Sequence, residues 1–173
     1  MLTAQVKLDT MPDKNLLPLQ RWLWISICVV LLDQASKLLA DNLLHYHQPV
    51  EVMPMFNLTL LYNKGAAFSF LASAGGWQRW FFLILTSAVS IFIYLWLRKL
   101  EIHQRLQYSA LALILGGAIG NLIDRAIYGH VIDFLDVYYG SYHWPAFNIA
   151  DSAIFVGAAL LIYDTIKNPH ENS

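Results

Sequence analysis

Four long apolar segments constrain the fold of this 173-residue chain more than any other feature of its sequence. They run roughly over residues 22–40, 77–97, 108–123 and 149–166. A helix needs about 20 mostly apolar residues to cross a bilayer core of about 30 Å. Only 13% of the chain is charged, against about 25% in a soluble domain. We therefore predict a membrane protein, mainly α, with four transmembrane helices.

The distribution of Lys and Arg predicts how these helices are oriented. If the N-terminus is cytoplasmic, the cytoplasmic side holds seven basic residues: Lys7, Lys14, Arg21, Arg98, Lys99, Arg105 and Lys167. The other four are Lys37, Lys64, Arg79 and Arg125. By the positive-inside rule both termini are cytoplasmic. We predict one membrane-embedded domain over residues 1–173, with tails of about residues 1–21 and 167–173.

The two longer connections, residues 41–76 and 126–147, then face outward. Residues 50–62 mix β-branched and aromatic residues in partial alternation, which is typical of short strands. Glycines within residues 63–76 indicate turns, and the aromatic residues within 138–147 are predicted to form a loop. These features predict a small β-sheet and a loop on the outer membrane face.

Two glycines of the third segment indicate close helix packing. Gly116 and Gly120 are four residues apart, so they lie on one side of a helix. Small residues at this spacing let a second helix approach closely. We interpret the pair as a packing surface.

Several kinds of chemistry find no support in the sequence. The one cysteine, Cys28, cannot form an internal disulfide or a cysteine-rich metal site. His45 and His47 lack the carboxylate spacing of a zinc hydrolase motif, so we predict no metal. Neither a nucleophile elbow nor a phosphate-binding loop occurs, and no basic stripe predicts nucleic-acid binding.

Four aspartates, Asp33, Asp124, Asp133 and Asp151, are predicted near the outer ends of the helices. Asp133 has apolar neighbours, and Asp151 begins the fourth segment. Two carboxylates close together at a low-dielectric surface share a proton, so one can activate water while the other assists a carbonyl. The alternative for Asp151 is a helix N-cap. The pattern alone leaves both interpretations open.

Asn121, Asp124 and Arg125 share one side of the third helix. Arg125 at the membrane edge is predicted to pair with a carboxylate and fix its geometry. A carboxylate held by a guanidinium makes a poor acid. We therefore interpret the three residues as a polar clamp more readily than as catalysts.

Two further classes of protein use carboxylates near a membrane. A transporter or proton conductor would use them as a relay, but relays extend across the bilayer, whereas these residues gather at one face. The chain also lacks the internal repeats of many transporters. A non-catalytic scaffold would use Asp–Arg pairs for stability alone.

Five segments carrying these polar residues resemble a known family in order and spacing. They are LDQASK at 32–37, YNKGAAFS at 62–69, GGAIGNLIDR at 116–125, VIDF at 131–134 and FNIADS at 147–152. Together they resemble lipoprotein signal peptidase, also called signal peptidase II. One such segment would be a weak signal, but five in order are specific.

The resemblance implies a four-helix enzyme of the bacterial inner membrane with its active site near the periplasmic face. Such enzymes are aspartyl endopeptidases that remove signal peptides from prolipoproteins. They cleave before a cysteine that carries a diacylglyceryl group, and they need no cofactor. The implied partners are the lipid-modified prolipoprotein and membrane lipids, and we expect a monomer.

The resemblance also implies roles for individual residues. Asp133 and Asp151 match the catalytic pair of the family. Asp124, Asn121 and Arg125 match a motif that supports the site and the substrate. The remaining matches to important family positions are Asn63, Asn148, Asp33 and Lys37.

Overall fold

The computed structural model describes residues 16–65 and 76–168. Its four helices are α1 (Leu16–Leu43), α2 (Gln78–Leu97), α3 (Arg105–Ile127) and α4 (Ile149–Lys167). Each is long and apolar enough to span a membrane, which confirms the four predicted spans. α1 begins at Leu16, within the segment predicted as the cytoplasmic N-terminal tail. Pro18 does not prevent this, since proline is tolerated in the first turn of a helix.

α3 is the central helix of the bundle and contacts the other three. Its glycines allow this, because a Cβ at Gly116 would lie 2.8 Å from a side chain of α1. At Gly120 a Cβ would lie 2.6 Å from Asp33 Oδ2, and at Gly117 it would collide with the Ala150 carbonyl of α4. The predicted packing role of Gly116 and Gly120 is confirmed.

The other helices present large apolar side chains outward. Ile84 of α2 is 69% exposed and Phe155 of α4 is 76% exposed. Contiguous apolar surface of this kind is rare on a protein surrounded by water. The bundle therefore presents the surface expected of a protein embedded in lipid.

Four antiparallel strands form one sheet in the order β1–β2–β3–β4. They are β1 (Val50–Met53), β2 (Phe56–Asn63), β3 (Val131–Tyr139) and β4 (Tyr142–His143). The first two strands confirm the prediction for residues 50–62. Most of the turns predicted within residues 63–76 fall outside the described residues.

The prediction of a loop over residues 138–147 is wrong at its start. Tyr138 pairs with His143 and Tyr139 pairs with Tyr142, so β3 and β4 form a hairpin. Gly140 makes this tight turn possible, because its φ of +61° is a conformation that side chains disfavour. The aromatic residues therefore extend the sheet.

β3 carries an irregularity beside α4 that changes where its side chains point. The carbonyl oxygen of Phe147 accepts hydrogen bonds from both Phe134 N (3.1 Å) and Leu135 N (2.9 Å). Two successive N–H groups donating to one carbonyl define a β-bulge, which bends a strand and redirects its side chains. As a result Asp133 and Asp136, three residues apart, line the same cavity.

Candidate active site

A buried ion cluster lies where α1 and α3 meet. Lys37 Nζ lies 2.8 Å from Asp33 Oδ2 and 2.9 Å from Asp124 Oδ2. All three side chains are at most 1% exposed. An ion in a low-dielectric interior is costly unless it is paired and hydrogen-bonded. The lysine is thus paired with both aspartates and offsets part of their charge.

Hydrogen bonds extend this cluster to α4 and β3. Asp33 Oδ1 accepts the Ala150 N–H at 2.8 Å. Asp124 Oδ2 accepts the Ile132 N–H at 3.1 Å, and Asp124 Oδ1 accepts Gln34 Nε2 at 2.8 Å. One polar cluster therefore joins three helices and a strand.

The prediction that Arg125 pairs with the carboxylate of the clamp is wrong, because Asp124 pairs with Lys37. Adjacent residues on a helix point about 100° apart, so the Arg125 side chain leaves in another direction. Its Nη2 donates to the Gly65 carbonyl at 3.2 Å, and its guanidinium lies 5.3 Å from the Phe82 ring. Arg125 instead lines the cavity described next.

Asp133 and Asp151 line one cavity of about 1320 Å³ between the sheet and α4. Asp133, on β3, is 3% exposed. Its Oδ2 accepts Asn63 Nδ2 at 3.1 Å, and its Oδ1 accepts Asn148 Nδ2 at 2.7 Å. Burial, followed by the negative charge of Asp151, raises the pKa of Asp133 to about 7. Asp133 thus holds a proton more readily than an ordinary aspartate.

Asn148 hydrogen-bonds the Asp133 carboxylate and also caps α4. Its backbone is extended, and its side-chain oxygen accepts the Asp151 N–H at 2.9 Å. This is the geometry of an N-cap, in which a side chain satisfies a free N–H of the first turn. The alternative interpretation of Asp151 as the N-cap is therefore wrong. Asp151 lies in the first turn, and its carboxylate is left available to the cavity.

Asn121 connects the ion cluster to the cavity. Its Oδ1 accepts Lys37 Nζ at 2.9 Å, and its Nδ2 donates to Asp151 Oδ1 at 2.7 Å. An ammonium only donates and an ionised carboxylate only accepts, so the two partners fix the orientation of the amide. The buried cluster thereby orients Asp151.

Polar and apolar side chains both line the cavity. Five of the predicted site residues are among the polar ones: Asn63, Asn121, Arg125, Asp133 and Asp151. Ile154, Phe155 and Val156 of α4 are among the apolar ones. Within residues 16–65 and 76–168, no three His, Cys, Asp or Glu side chains are arranged to hold one metal ion.

The structure thus brings together all nine predicted residues, either at the cavity, in the ion cluster or between them. The sequence interpretation missed Gln34 of the ion cluster and the cavity residues Asp136 and His143. Asp136 follows Asp133 by three residues, which strand alternation would place on the opposite face. Only the bulge at Phe134 and Leu135 brings it to the cavity.

Known proteins resemble this chain in both sequence and fold. The family model of signal peptidase (SPase) II matches residues 25–167. A lipoprotein signal peptidase of Janthinobacterium sp. (strain Marseille) is 60% identical over 146 residues, covering 84% of this chain and 88% of the relative. The enzyme of that name from Aeromonas hydrophila subsp. hydrophila is 54% identical over 149 residues, covering 86% and 89%.

A solved structure of a bacterial membrane enzyme has the same fold. It aligns with a TM-score of 0.79 and 32% identity, covering 89% of this chain and 92% of the other. Sequence and fold agree over the four helices and the sheet. The chain therefore belongs to the signal peptidase II family, whose members are membrane peptidases that remove signal peptides from prolipoproteins.

Proposed function

We propose that the chain is an aspartyl endopeptidase in which Asp133 and Asp151 together activate a water molecule. Its substrate is a prolipoprotein that carries a diacylglyceryl group, and it cleaves the peptide bond before the modified cysteine. The reaction requires no metal and no cofactor.

One observation carries the proposal: the buried Asp133 and the partly buried Asp151 line one cavity, and within the described residues neither carboxylate forms a salt bridge. Among the described residues, the only hydrogen bonds to the carboxylates of Asp133 and Asp151 come from asparagine amides. Amides orient a carboxylate without supplying a positive charge. A pair held in this way keeps one proton between its members, as hydrolysis by two aspartates needs.

The chemistry follows from that shared proton. The ionised carboxylate of Asp151 takes a proton from water as the water oxygen attacks the scissile carbonyl carbon. Protonated Asp133 gives its proton to the carbonyl oxygen, which forms a tetrahedral diol. When the C–N bond breaks, Asp151 protonates the departing nitrogen and Asp133 recovers its proton from a diol hydroxyl. The products are a carboxylic acid and a free amine on the cysteine.

The apolar and polar parts of the cavity lining suit the two parts of such a substrate. The side chains of Ile154, Phe155 and Val156 provide an apolar wall for acyl groups. The sheet offers a surface for an extended peptide. Asn63, Asn121 and Asn148 orient the carboxylates, and Arg125 contributes a guanidinium to the cavity. Asp33, Lys37 and Asp124 hold the elements that carry the site.

The proposal includes the placement of the chain in the bacterial inner membrane. The excess of Lys and Arg in the connections assigned to the cytoplasm puts both termini inside. The C-terminal end of α3 and the N-terminal end of α4 meet at the cavity, so the site lies near the periplasmic face. The proposed functional unit is a monomer that meets its substrate and lipids from the bilayer.

Cleavage by the purified protein in detergent tests the proposal. A prolipoprotein with the diacylglyceryl group should be cut once, before the modified cysteine, and an identical unmodified protein should stay intact. A chelator should leave the rate unchanged. Equal cleavage of both proteins, or cleavage elsewhere, would contradict the proposed substrate.

Reconstituted vesicles separate this function from its rival. A proton conductor would pass protons in a manner that depends on Asp133 and Asp151, without cutting any peptide. We expect cleavage and no Asp-dependent proton flux.

A further inference from the structure

A second polar group lines the cavity beyond the two proposed catalytic residues. Asp136 of β3 is 5% exposed, whereas His143 of β4 is 50% exposed. His143 Nδ1 lies 2.8 Å from Asp136 Oδ1. Neither residue takes part in the proposed hydrolysis, yet both line the same cavity as Asp133.

Both carboxylate oxygens of Asp136 have hydrogen-bond partners, and one of them is His143. Its Oδ2 accepts Thr59 Oγ1 at 2.9 Å and faces Asn57 Nδ2 at 3.5 Å, while its Oδ1 faces the imidazole. The ring is also stacked on Tyr138, with 5.2 Å between the centroids. A carboxylate and a stacked aromatic ring thus fix the position and the tilt of the imidazole.

This arrangement also assigns the two ring nitrogens. A carboxylate only accepts hydrogen bonds, so Nδ1 carries its hydrogen and donates it to Asp136. Within residues 16–65 and 76–168, no group hydrogen-bonds Nε2. In a neutral ring Nε2 accepts a backbone N–H, and in a charged ring it donates to a backbone carbonyl oxygen. Either form can recognise a peptide backbone.

The position in the sheet points to an extended peptide as the ligand. β4 is the last strand in the described sheet order, so its outer edge has no neighbouring strand there. Extended peptides bind at such edges through their backbone groups. The hydrocarbon chains of a lipid, by contrast, offer no group that an imidazole nitrogen would bind.

We propose that His143, oriented by Asp136, is a substrate-positioning residue whose Nε2 hydrogen-bonds the backbone of the peptide beside the cleavage site. Asp136 is a positioning residue that acts through His143. This inference rests on the proposed function, because it places a peptide substrate in the cavity.

Two replacements of His143 separate recognition from structure. In His143→Asn the amide occupies the place of Nδ1 and keeps the contact with Asp136, but nothing remains at Nε2. In His143→Gln the amide reaches the place of Nε2. The loss of one hydrogen bond should raise KM about three- to tenfold in His143→Asn and leave kcat unchanged. His143→Gln should restore most of the parent KM.

The measurements are KM and kcat on the lipid-modified substrate, the affinity for a lipid-modified peptide, and the midpoint of thermal unfolding. His103→Asn is a matched control, because His103 pairs with Glu101 at 3.5 Å in the turn between α2 and α3. It should match the parent. Asp136→Asn should raise KM in the same direction as His143→Asn.

The outcomes are distinct. Parent-like KM in both His143 variants overturns the positioning role and leaves the proposed function standing. If kcat and the thermal midpoint fall together in both His143 variants, His143 has a purely structural role. That result also overturns the positioning role. Failure of the parent to cleave overturns the proposed function. If the parent still binds the peptide and only His143→Asn loses affinity, the positioning role survives that failure.

Discussion

Two groups of aspartates lie close together in this molecule but have different surroundings. Asp33 and Asp124 each contact the ammonium of Lys37, at 2.8 and 2.9 Å. The carboxylates of Asp133 and Asp151 are hydrogen-bonded by asparagine amides. The first group is sealed between helices, and the second lines a cavity.

The difference shows how one membrane protein separates stability from reactivity. A buried lysine offsets part of the charge of the two carboxylates that join the helices, so their charge has a fixed structural role. Amides orient the other two carboxylates without neutralising them. Asn121 contacts both groups, so the structural cluster positions the pair while its ammonium contacts neither member.

The largest expected effect concerns activity. Asp133→Asn and Asp151→Asn should each lower the cleavage rate by about 10³-fold or more, because each removes one member of the acid–base pair. Both variants should stay folded, with a thermal midpoint in detergent no lower than that of the parent. The control Glu101→Gln changes an exposed carboxylate far from the cavity and should match the parent in both. Parent-like cleavage by either cavity variant would show that the pair is not catalytic.

In the ion cluster, by contrast, the largest expected effect of a substitution concerns stability. Lys37→Met leaves Asp33 and Asp124 buried without a cation, which should destabilise the fold by about 3–5 kcal/mol. Unfolding in a denaturing detergent measures the loss. Lys99→Met at the exposed end of α2 is the control and should change stability by less than about 0.5 kcal/mol. Equal stability of the two variants would remove the distinction between the aspartate groups.

The sequence was sufficient for the helices and most of the site, and the reasons are physical. Apolar length alone predicts the spans, and the resemblance identifies the nine site residues. The pairing of Asp124 with Lys37 was not predictable from helix spacing, because the partners lie on different helices. The bulge at Phe134 and Leu135 depends on a contact with Phe147 that no local pattern reveals.

The pH dependence of stability should distinguish Asp133 from the ion cluster. Its pKa rises from an ordinary 3.8 to about 7, so between these values the folded protein keeps a proton that the unfolded protein has released. Stability from this group is therefore lost as pH rises through that window. The thermal midpoint of Asp133→Asn minus that of the parent should be larger at pH 8 than at pH 4. A difference that is constant with pH would contradict the raised pKa.

A smaller effect is expected at Asn148, which caps α4 and hydrogen-bonds the Asp133 carboxylate. Asn148→Ala removes the acceptor of the Asp151 N–H, which should cost about 1 kcal/mol. It also removes a hydrogen bond to Asp133, so the cleavage rate should fall as well. Asn148→Ser keeps a side-chain oxygen that can accept the Asp151 N–H but lacks the amide that donates to Asp133, so it should restore most of the stability without restoring the rate. Recovery of both would assign Asn148 to capping alone.

The titration of the Asp133 carboxyl carbon by NMR tests the shared proton most directly. Aspartate labelled with ¹³C at the carboxyl, with the signal assigned by its absence in Asp133→Asn, would give the pKa in the folded protein. We expect titration near pH 7, and a lower pKa in Asp151→Asn, because the neighbouring charge is then removed. Titration near pH 4 that does not respond to Asp151→Asn would contradict a coupled, proton-sharing pair.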